Sequence, residues 1–292
     1  MDGILNVNKP AGMTSHDVVS VVRNYSRLKR VGHAGTLDPL ATGVLLVCLG
    51  QATRVVEYLG DHDKKYRAQV RLGIETDTYD ATGAVVAQRP VTATREQVQA
   101  ALHGFVGKIA QRPPAYSAIK QNGVPLYKLA RQGKEVDRQA RAVEIFSIDV
   151  RQVALPDVEF DVHCSKGTYV RSLAHDLGEQ LGCGAHLTAL TRTASGHFTL
   201  EDSHTLDQLH DAFEGGYAER YLIPIDEALL QFEAVIVDPA TAKRIQQGNA
   251  LTCGREVSTP LLRVYSTTGE LIALLERGRA RDEWKPRKVF VI

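Results

Sequence analysis

The sequence has little cysteine and no long apolar run in its N-terminal half, and each absence excludes a class of protein. The four cysteines, Cys48, Cys164, Cys183 and Cys253, are scattered and form no C-x-x-C pair, so neither a disulfide framework nor a zinc site is expected. The apolar run 44–49 is too short to span a bilayer. The first residues show no signal-peptide pattern. We therefore expect a cytoplasmic protein without a membrane partner or a metal.

A strong net charge is also missing, since 35 Lys and Arg stand against 34 Asp and Glu in a chain of 292 residues. Taken alone, this balance argues against a nucleic-acid partner. The total hides an uneven distribution, with a net charge of +5 over 1–200, −9 over 201–238 and +5 over 239–292. Two basic blocks on either side of an acidic stretch indicate a domain boundary near 225–235.

The pattern of apolar residues predicts an α+β fold. Hydrophobic residues make up 43% and charged residues 24% of the chain, as in a globular protein. Alternation predicts strands over 4–8, 65–72 and 158–164, and caps and apolar stripes predict helices over 14–28, 94–103, 125–133 and 168–181. Strands mostly neighbour strands in this order, which favours a largely antiparallel sheet with flanking helices.

The last 60 residues or so follow a different pattern, typical of a small β-rich module. Short apolar runs predict strands over 234–237, 261–265, 271–275 and 288–292, with one helix over 239–247. A module of this size is only marginally stable by itself, and we expect it to dock on the larger domain.

One candidate for chemistry is Asp38, in the loop 32–43, which contains three glycines and a proline after the aspartate. Read locally, an Asp-Pro step more often marks a turn with a capping role. The carboxylate becomes a functional candidate if a cation lies beside it, and Arg171 is such a partner because it lies off the apolar stripe of its helix. An arginine there would keep the carboxylate ionised. The alternative for Arg171 is an exposed cation on the helix surface.

Four segments together resemble the TruB family of pseudouridine synthases, whose bacterial members act on uridine 55 of tRNA. They lie in the family's order and contain its motifs: Asn8–Ser15, Gly32–Leu45, Asp63–Arg67 and Ser165–Leu173. The resemblance covers about residues 4–200 and is specific because four motifs match in order. After residue 200 the tail resembles a PUA-type RNA-binding module only weakly.

The resemblance implies a role for several site residues. Asp38 matches the family's catalytic aspartate, which acts as nucleophile or proton acceptor, and Arg171 would orient it. Tyr66 matches the tyrosine that stacks on the uracil. Tyr169 and Leu190 match residues that line the uracil pocket. The alternatives are a helix-surface cation for Arg171 and ordinary core residues for Tyr66, Tyr169 and Leu190.

The resemblance also implies how RNA is bound. The target uridine lies inside the folded T-arm, so it must be flipped out before it reacts, and His33 would contact the RNA or fill the space left behind. The basic insert 112–141 would be a flap over the RNA arm, with cations Lys120, Lys128, Arg131 and Lys134. The implied domains are a catalytic domain over 1–230 and a PUA-like RNA-binding domain over 232–292.

The expected reaction is an isomerisation of the T-loop uridine, and it calls for no cofactor. We expect a monomer that needs no protein partner. Two alternatives remain: a guide-RNA-dependent pseudouridine synthase, which takes its specificity from a complex, and a tRNA-binding folding chaperone.

Overall fold

The computed structural model describes residues 1–117, 120–121, 123–126, 132, 138–280 and 282–290. The α-helices are α1 (Ser15–Ser26), α2 (Val56–Gly60), α3 (Arg95–His103), α4 (Val170–Gln180), α5 (Leu206–Glu214) and α6 (Pro239–Gln246). Short 3-10 helices cover Gly50–Val55, Ala218–Tyr221 and Ile225–Leu229. In this described part of the chain, no helix is long and apolar enough to cross a membrane.

More residues of the described chain lie in strands than in helices. They are β1 (Gly3–Lys9), β2 (Val31–Ala34), β3 (Thr42–Leu49), β4 (Lys64–Leu72), β5 (Ile74–Thr76), β6 (Val85–Gln88), β7 (Gly107–Gln111), β8 (Lys120–Gln121), β9 (Val124–Pro125), β10 (Arg141–Ala154), β11 (Asp157–Cys164), β12 (Ala185–Ser195), β13 (Phe198–Thr199), β14 (Glu233–Val237), β15 (Leu251–Thr252), β16 (Leu261–Ser266), β17 (Leu271–Arg277) and β18 (Glu283–Val289). β5 pairs with β6 and β8 with β9 in separate two-stranded ribbons.

A nine-stranded sheet organises the first two thirds of the chain. Its order is β1-β3-β12-β4-β11-β10-β7, with β2 also on β3 and β13 on β12. Every pairing among these strands is antiparallel except the short parallel contact between β3 and β12. The sheet is therefore mixed and largely antiparallel, which confirms the predicted fold class.

Helices α1, α3, α4 and α5 cover one face of this sheet. Their buried side chains join those of the strands in one hydrophobic core, with Val18, Leu102, Leu173 and Leu209 as one contact from each helix. A capping box starts α3 at Thr94, as the sequence predicts, and the expected cap of α1 is Thr14, which also forms a capping box with Asp17. Because the sheet is anchored by these four helices, the loops that connect them to its strands are held in fixed positions.

The C-terminal residues form a second, five-stranded sheet in the order β14-β16-β17-β18-β15, with α6 packed on it. This sheet curls into a half-barrel and its strand order does not close. Leu261 and Leu274 from this sheet, and Phe290 directly after β18, lie in one hydrophobic cluster with Val44 and Leu46 of β3. The half-barrel is thus docked on the large sheet through a shared core.

Three predicted elements differ from the structure. The helix expected from 168 begins at Val170, because Thr168 turns its hydroxyl back onto the carbonyl of Ser165. The last strand covers Glu283–Val289 and so begins earlier than the expected strand over 288–292, with the side chain of Trp284 buried near its start. Pro125 ends a short strand where a helix start was expected, and residues 127–131 and 133–137 lie outside the described residues.

Candidate active site

The loop between β2 and β3 presents Asp38 on a fixed backbone. Leu37 is buried, and its backbone N–H donates to the hydroxyl of Ser15 at 2.8 Å while that hydroxyl donates back to the Leu37 carbonyl at 3.2 Å. The N–H of Ala41 bonds the Asp38 carbonyl at 3.0 Å, which closes a turn. Asp38 therefore forms the turn that its local sequence predicts, and it is also the residue to which the resemblance assigns a catalytic role.

Arg171, in the first turn of α4, is ion-paired with Asp38. Its Nε lies 2.8 Å from Oδ2 and its Nη2 donates to Oδ1 at 2.9 Å. The arginine side chain is 5% exposed and the aspartate side chain 35% exposed. The guanidinium is thus buried against the carboxylate, while one side of the carboxylate remains open to a ligand. Arg171 is therefore not an exposed cation on the helix surface, which was the alternative interpretation.

Three other groups hold the Arg171 guanidinium in place. Nη1 donates to the carbonyl of Thr78 at 3.2 Å, Nη2 donates to the carbonyl of Tyr116 at 2.9 Å, and Nη1 lies 3.6 Å from Oδ2 of Asp80. These contacts come from two chain segments outside α4. A guanidinium fixed on several sides orients its carboxylate partner more strictly than a lysine ammonium does.

Asp38 lies at a pocket of about 280 Å³. This volume lies just below the roughly 300–1,000 Å³ typical of small-molecule sites, and it suits a small ligand of about one nucleoside. The walls come from the Asp38 loop, from β4 and β12, and from the start of α4; its lining residues include Gly35, Thr36, Leu37, Lys64, Tyr66, Ser117, Thr168, Tyr169, Arg171, Leu190 and Arg192.

Tyr66, Leu190 and Tyr169 all line this pocket, as the resemblance implies. Tyr66 on β4 and Leu190 on β12 are buried. The backbone of Tyr169 is fixed by Gln111, which accepts from its N–H at 2.8 Å and donates to its carbonyl at 3.1 Å. Burial raises the pKa of both the Tyr66 and the Tyr169 phenols, so both rings are neutral at physiological pH.

The charges around Asp38 act on its pKa in opposite directions. Burial raises the pKa of the carboxyl, Arg171 lowers it, Asp80 raises it and Lys9 lowers it, and the net direction is upward. Lys9 is itself buried, with Nζ donating to the carbonyl of Met13 at 2.6 Å, and burial lowers its pKa to about 8. The carboxylate therefore lies in an environment that makes it more basic than an exposed aspartate.

Sequence reasoning missed two other cations that line the pocket. Lys64 is buried, donates to the carbonyl of Gly60 at 2.7 Å, and has its pKa lowered to about 8 by burial. Arg192 is 1% exposed and donates to the carbonyls of Val44 at 2.6 Å and Gly35 at 3.0 Å. The alternation that places Tyr66 on the inner face of β4 also places Lys64 there, so this signal was present in the sequence.

A glycine allows the close approach of β12 to the Asp38 loop. Gly43 has φ +97°, and a Cβ there would lie 2.3 Å from the carbonyl oxygen of Arg192. A side chain at this position would push β12 away from β3. The short parallel contact that brings Leu190 and Arg192 to the pocket thus depends on this glycine.

Two of the remaining predicted site residues, His33 and Lys120, fall within the described part of the chain. His33 on β2 does not line the pocket; its Nδ1 is buried without a hydrogen-bond partner, and burial lowers its pKa. Lys120 belongs to the short strand β8. Lys128, Arg131 and Lys134 lie outside the described residues. The described residues bring together no group of three or more His, Cys, Asp or Glu that would hold a metal ion.

Comparison with known proteins identifies the family. The model of the N-terminal domain of TruB family pseudouridylate synthases matches residues 23–170, and that of the C-terminal domain of tRNA pseudouridylate synthase B matches residues 171–230. The tRNA pseudouridine synthase B of Geotalea uraniireducens is 49% identical, with 99% of this chain and 95% of the relative covered. That of Clostridium kluyveri is 43% identical with both chains covered completely.

Solved structures agree on the fold. A chain from an H/ACA ribonucleoprotein bound to a substrate RNA containing 2'-deoxyuridine is similar with a TM-score of 0.74 and 27% identity, over 99% of this chain and 85% of that one. A chain from a Cbf5-Nop10-Gar1 complex gives the same TM-score at 29% identity and the same coverage. On the family models and the nearly full-length relatives, this chain belongs to the TruB family of pseudouridylate synthases, which are isomerases.

Proposed function

We propose that this enzyme converts the uridine at position 55, in the T-loop of tRNA, to pseudouridine, with Asp38 as its catalytic carboxylate. The observation that carries the proposal is the pair of Asp38 and Arg171 at a nucleoside-sized pocket. The carboxylate is clamped on one side and open on the other, as a group that acts on a bound nucleotide requires.

The reaction breaks the bond between uracil N1 and ribose C1′, turns the base and forms a bond between C5 and C1′. The C5 proton is lost and N1 gains a proton, so no oxidant or reductant is needed. Asp38 acts on the ribose or the uracil ring, as a nucleophile or a proton acceptor. Arg171 keeps the carboxylate oriented and ionised, while the raised pKa of Asp38 favours it as a base.

The apolar walls of the pocket hold the detached base. The Tyr66 ring and the Leu190 side chain would contact the uracil from β4 and β12, and Tyr169 would close the pocket from the start of α4. These side chains keep the base near C1′ and keep water away from the broken bond, which would otherwise be hydrolysed.

RNA binding is assigned to three regions. A pocket for a single nucleoside calls for a nucleotide flipped out of the folded T-arm, and His33 on the adjacent strand β2 would contact the RNA beside it. The basic insert 112–141 and the tail 232–292 would bind phosphates around the arm. In this assignment residues 1–230 form the catalytic domain and the tail is a PUA-like RNA-binding domain.

A guide-RNA-dependent enzyme is the second candidate, because solved structures of similar fold come from H/ACA ribonucleoproteins. Sequence identity favours the stand-alone reaction. It is 49% to a tRNA pseudouridine synthase B over 95% of that protein, against 27–29% to the chains from those complexes.

The test is conversion of an unmodified tRNA transcript by the purified chain alone, with the modified position mapped. We expect one pseudouridine, at the T-loop uridine, and none in a control transcript that carries cytidine at that position. Activity that appears only after guide RNA and partner proteins are added would establish the second candidate instead. Tight tRNA binding without pseudouridine under either condition would contradict the proposed reaction and favour a tRNA-binding chaperone.

A further inference from the structure

Tyr79 lies in the loop between β5 and β6 with an uncommon backbone conformation. Its φ is +64°, in the left-handed region that tyrosine rarely adopts. Its ring stacks on the imidazole of His175 in α4, with centroids 3.9 Å apart and planes 7° apart. Its hydroxyl accepts a hydrogen bond from Nη1 of Arg138 at 3.0 Å. Strained residues of this kind are frequent at functional sites.

The residues on either side of Tyr79 contact the guanidinium of Arg171. The Thr78 carbonyl accepts from Nη1 at 3.2 Å, and the Asp80 carboxylate lies 3.6 Å from the same nitrogen. The Tyr79 carbonyl accepts from the N–H of Leu187 at 3.0 Å, which ties the loop to β12. A displacement of the Tyr79 ring therefore moves groups that hold Arg171 against Asp38.

Residues near both ends of the basic insert 112–141 contact either Arg171 or Tyr79. Near its beginning, the Tyr116 carbonyl accepts directly from Nη2 of Arg171 at 2.9 Å. Near its end, Arg138 reaches the Thr78–Asp80 backbone through the Tyr79 hydroxyl. His175, one turn after Arg171 on the same helix, provides the flat surface on which the Tyr79 ring lies. The insert thus has two separate connections to the same guanidinium.

We propose that Tyr79 is a positioning residue that couples Arg138 of the insert to the Arg171–Asp38 pair. The inference rests on the proposed function, since it takes Asp38 as the group that reacts. Tyr79 does not line the pocket, so its effect on the reaction passes through Arg171. The coupling sets the geometry of Asp38 and leaves the affinity for tRNA to other contacts.

The experiment is a double-mutant cycle on the full chain with unmodified tRNA transcript. Tyr79→Phe keeps the stacked ring and loses the hydroxyl, and Arg138→Met keeps the length of the side chain and loses the donor. We measure the single-turnover rate at saturating tRNA and the Kd for tRNA. Each variant is expected to lower the rate about three- to tenfold with an unchanged Kd, and the double variant to be no slower than the slower single one.

Two controls separate the possible causes. Arg71→Met removes another arginine, which pairs with Asp157 at 2.8 Å on the open face of the sheet, and should react like the wild type. A thermal unfolding midpoint for each variant shows that the protein is folded. Asp38→Asn, measured in parallel, tests the proposed function separately. If that variant remains active, the catalytic role of Asp38 is contradicted, independently of the results for Tyr79.

The coupling is overturned if Tyr79→Phe reacts at the wild-type rate while Asp38→Asn is inactive. It is also overturned if the two substitutions multiply their effects in the double variant, since they would then act independently. An Arg138→Met variant with a weakened Kd and an unchanged rate would assign that arginine to RNA binding and contradict the proposal.

Discussion

Arg171 holds Asp38 through two nitrogens, with Nε 2.8 Å from Oδ2 and Nη2 2.9 Å from Oδ1. The two residues are 133 positions apart in the chain. Their arrangement depends on α4 starting at Val170 and on the fixed turn after Leu37. The fold therefore produces a paired carboxylate whose direction is set before a nucleotide enters.

Replacing Arg171 by lysine should slow the reaction without loss of the fold. Lysine keeps the positive charge but makes a single-point contact, so Asp38 loses its fixed orientation. We expect a single-turnover rate lower by about 10²-fold. Arg67→Lys is the matched control, because Arg67 also makes a two-point pair, at 2.9 and 3.3 Å, with Asp161 on the open face of the sheet. An equal loss in both variants would contradict the assigned role of Arg171.

When the pH is lowered, the reaction rate should fall at a higher pH than expected for an aspartate with its usual pKa. In the proposed reaction the active form is the ionised carboxylate, and protonation of Asp38 would remove it. Burial raises the pKa of this carboxyl above its usual 3.8, so the acid limb of the single-turnover rate shifts upward. The measurement is the pH profile at saturating tRNA, with tRNA binding followed over the same range. An acid limb at or below the usual value would contradict this environment.

The shared core between the two sheets should make the chain unfold as one unit. Leu274 is fully buried in the cluster that includes Val44 and Leu46 of the large sheet. We expect Leu274→Ala to lower the free energy of unfolding by about 2–5 kcal/mol in a single transition. Ile236→Ala, at a residue 69% exposed, should change little. Denaturant unfolding that shows two transitions, with only one shifted, would contradict a common core.

Local sequence signals predicted β1, β4 and β11 and the helices α1, α3 and α4, but they missed β3, β10 and β12 of the large sheet, and contacts between distant segments left little trace in the sequence. The helix cap at Thr14, the capping box at Thr94 and the alternation in β4 involve neighbours in sequence, so they could be recognised directly. Lys9 and Arg192 could not be recognised in this way. Each is a buried cation whose partners include carbonyls far away in the chain, such as Pro39 for Lys9 and Val44 for Arg192.

The difference between local signals and distant contacts also explains which site residues could be predicted. The resemblance pointed to Asp38 and to Arg171, and the structure places them in contact. It did not point to Tyr79 or Arg138, whose contact joins a strained loop to the end of the basic insert. His33 lies beside the loop in sequence and is not among the residues that line the pocket, so its expected contact with the RNA stays a prediction.

The most direct measurement is the single-turnover conversion of unmodified tRNA by Asp38→Asn. Asparagine keeps the shape of the side chain and removes the charge that acts on the nucleotide. We expect a rate at least about 10³-fold lower, with a Kd for tRNA within a fewfold of the wild type. A variant that binds tRNA and still forms pseudouridine at a substantial rate would contradict the catalytic role of Asp38.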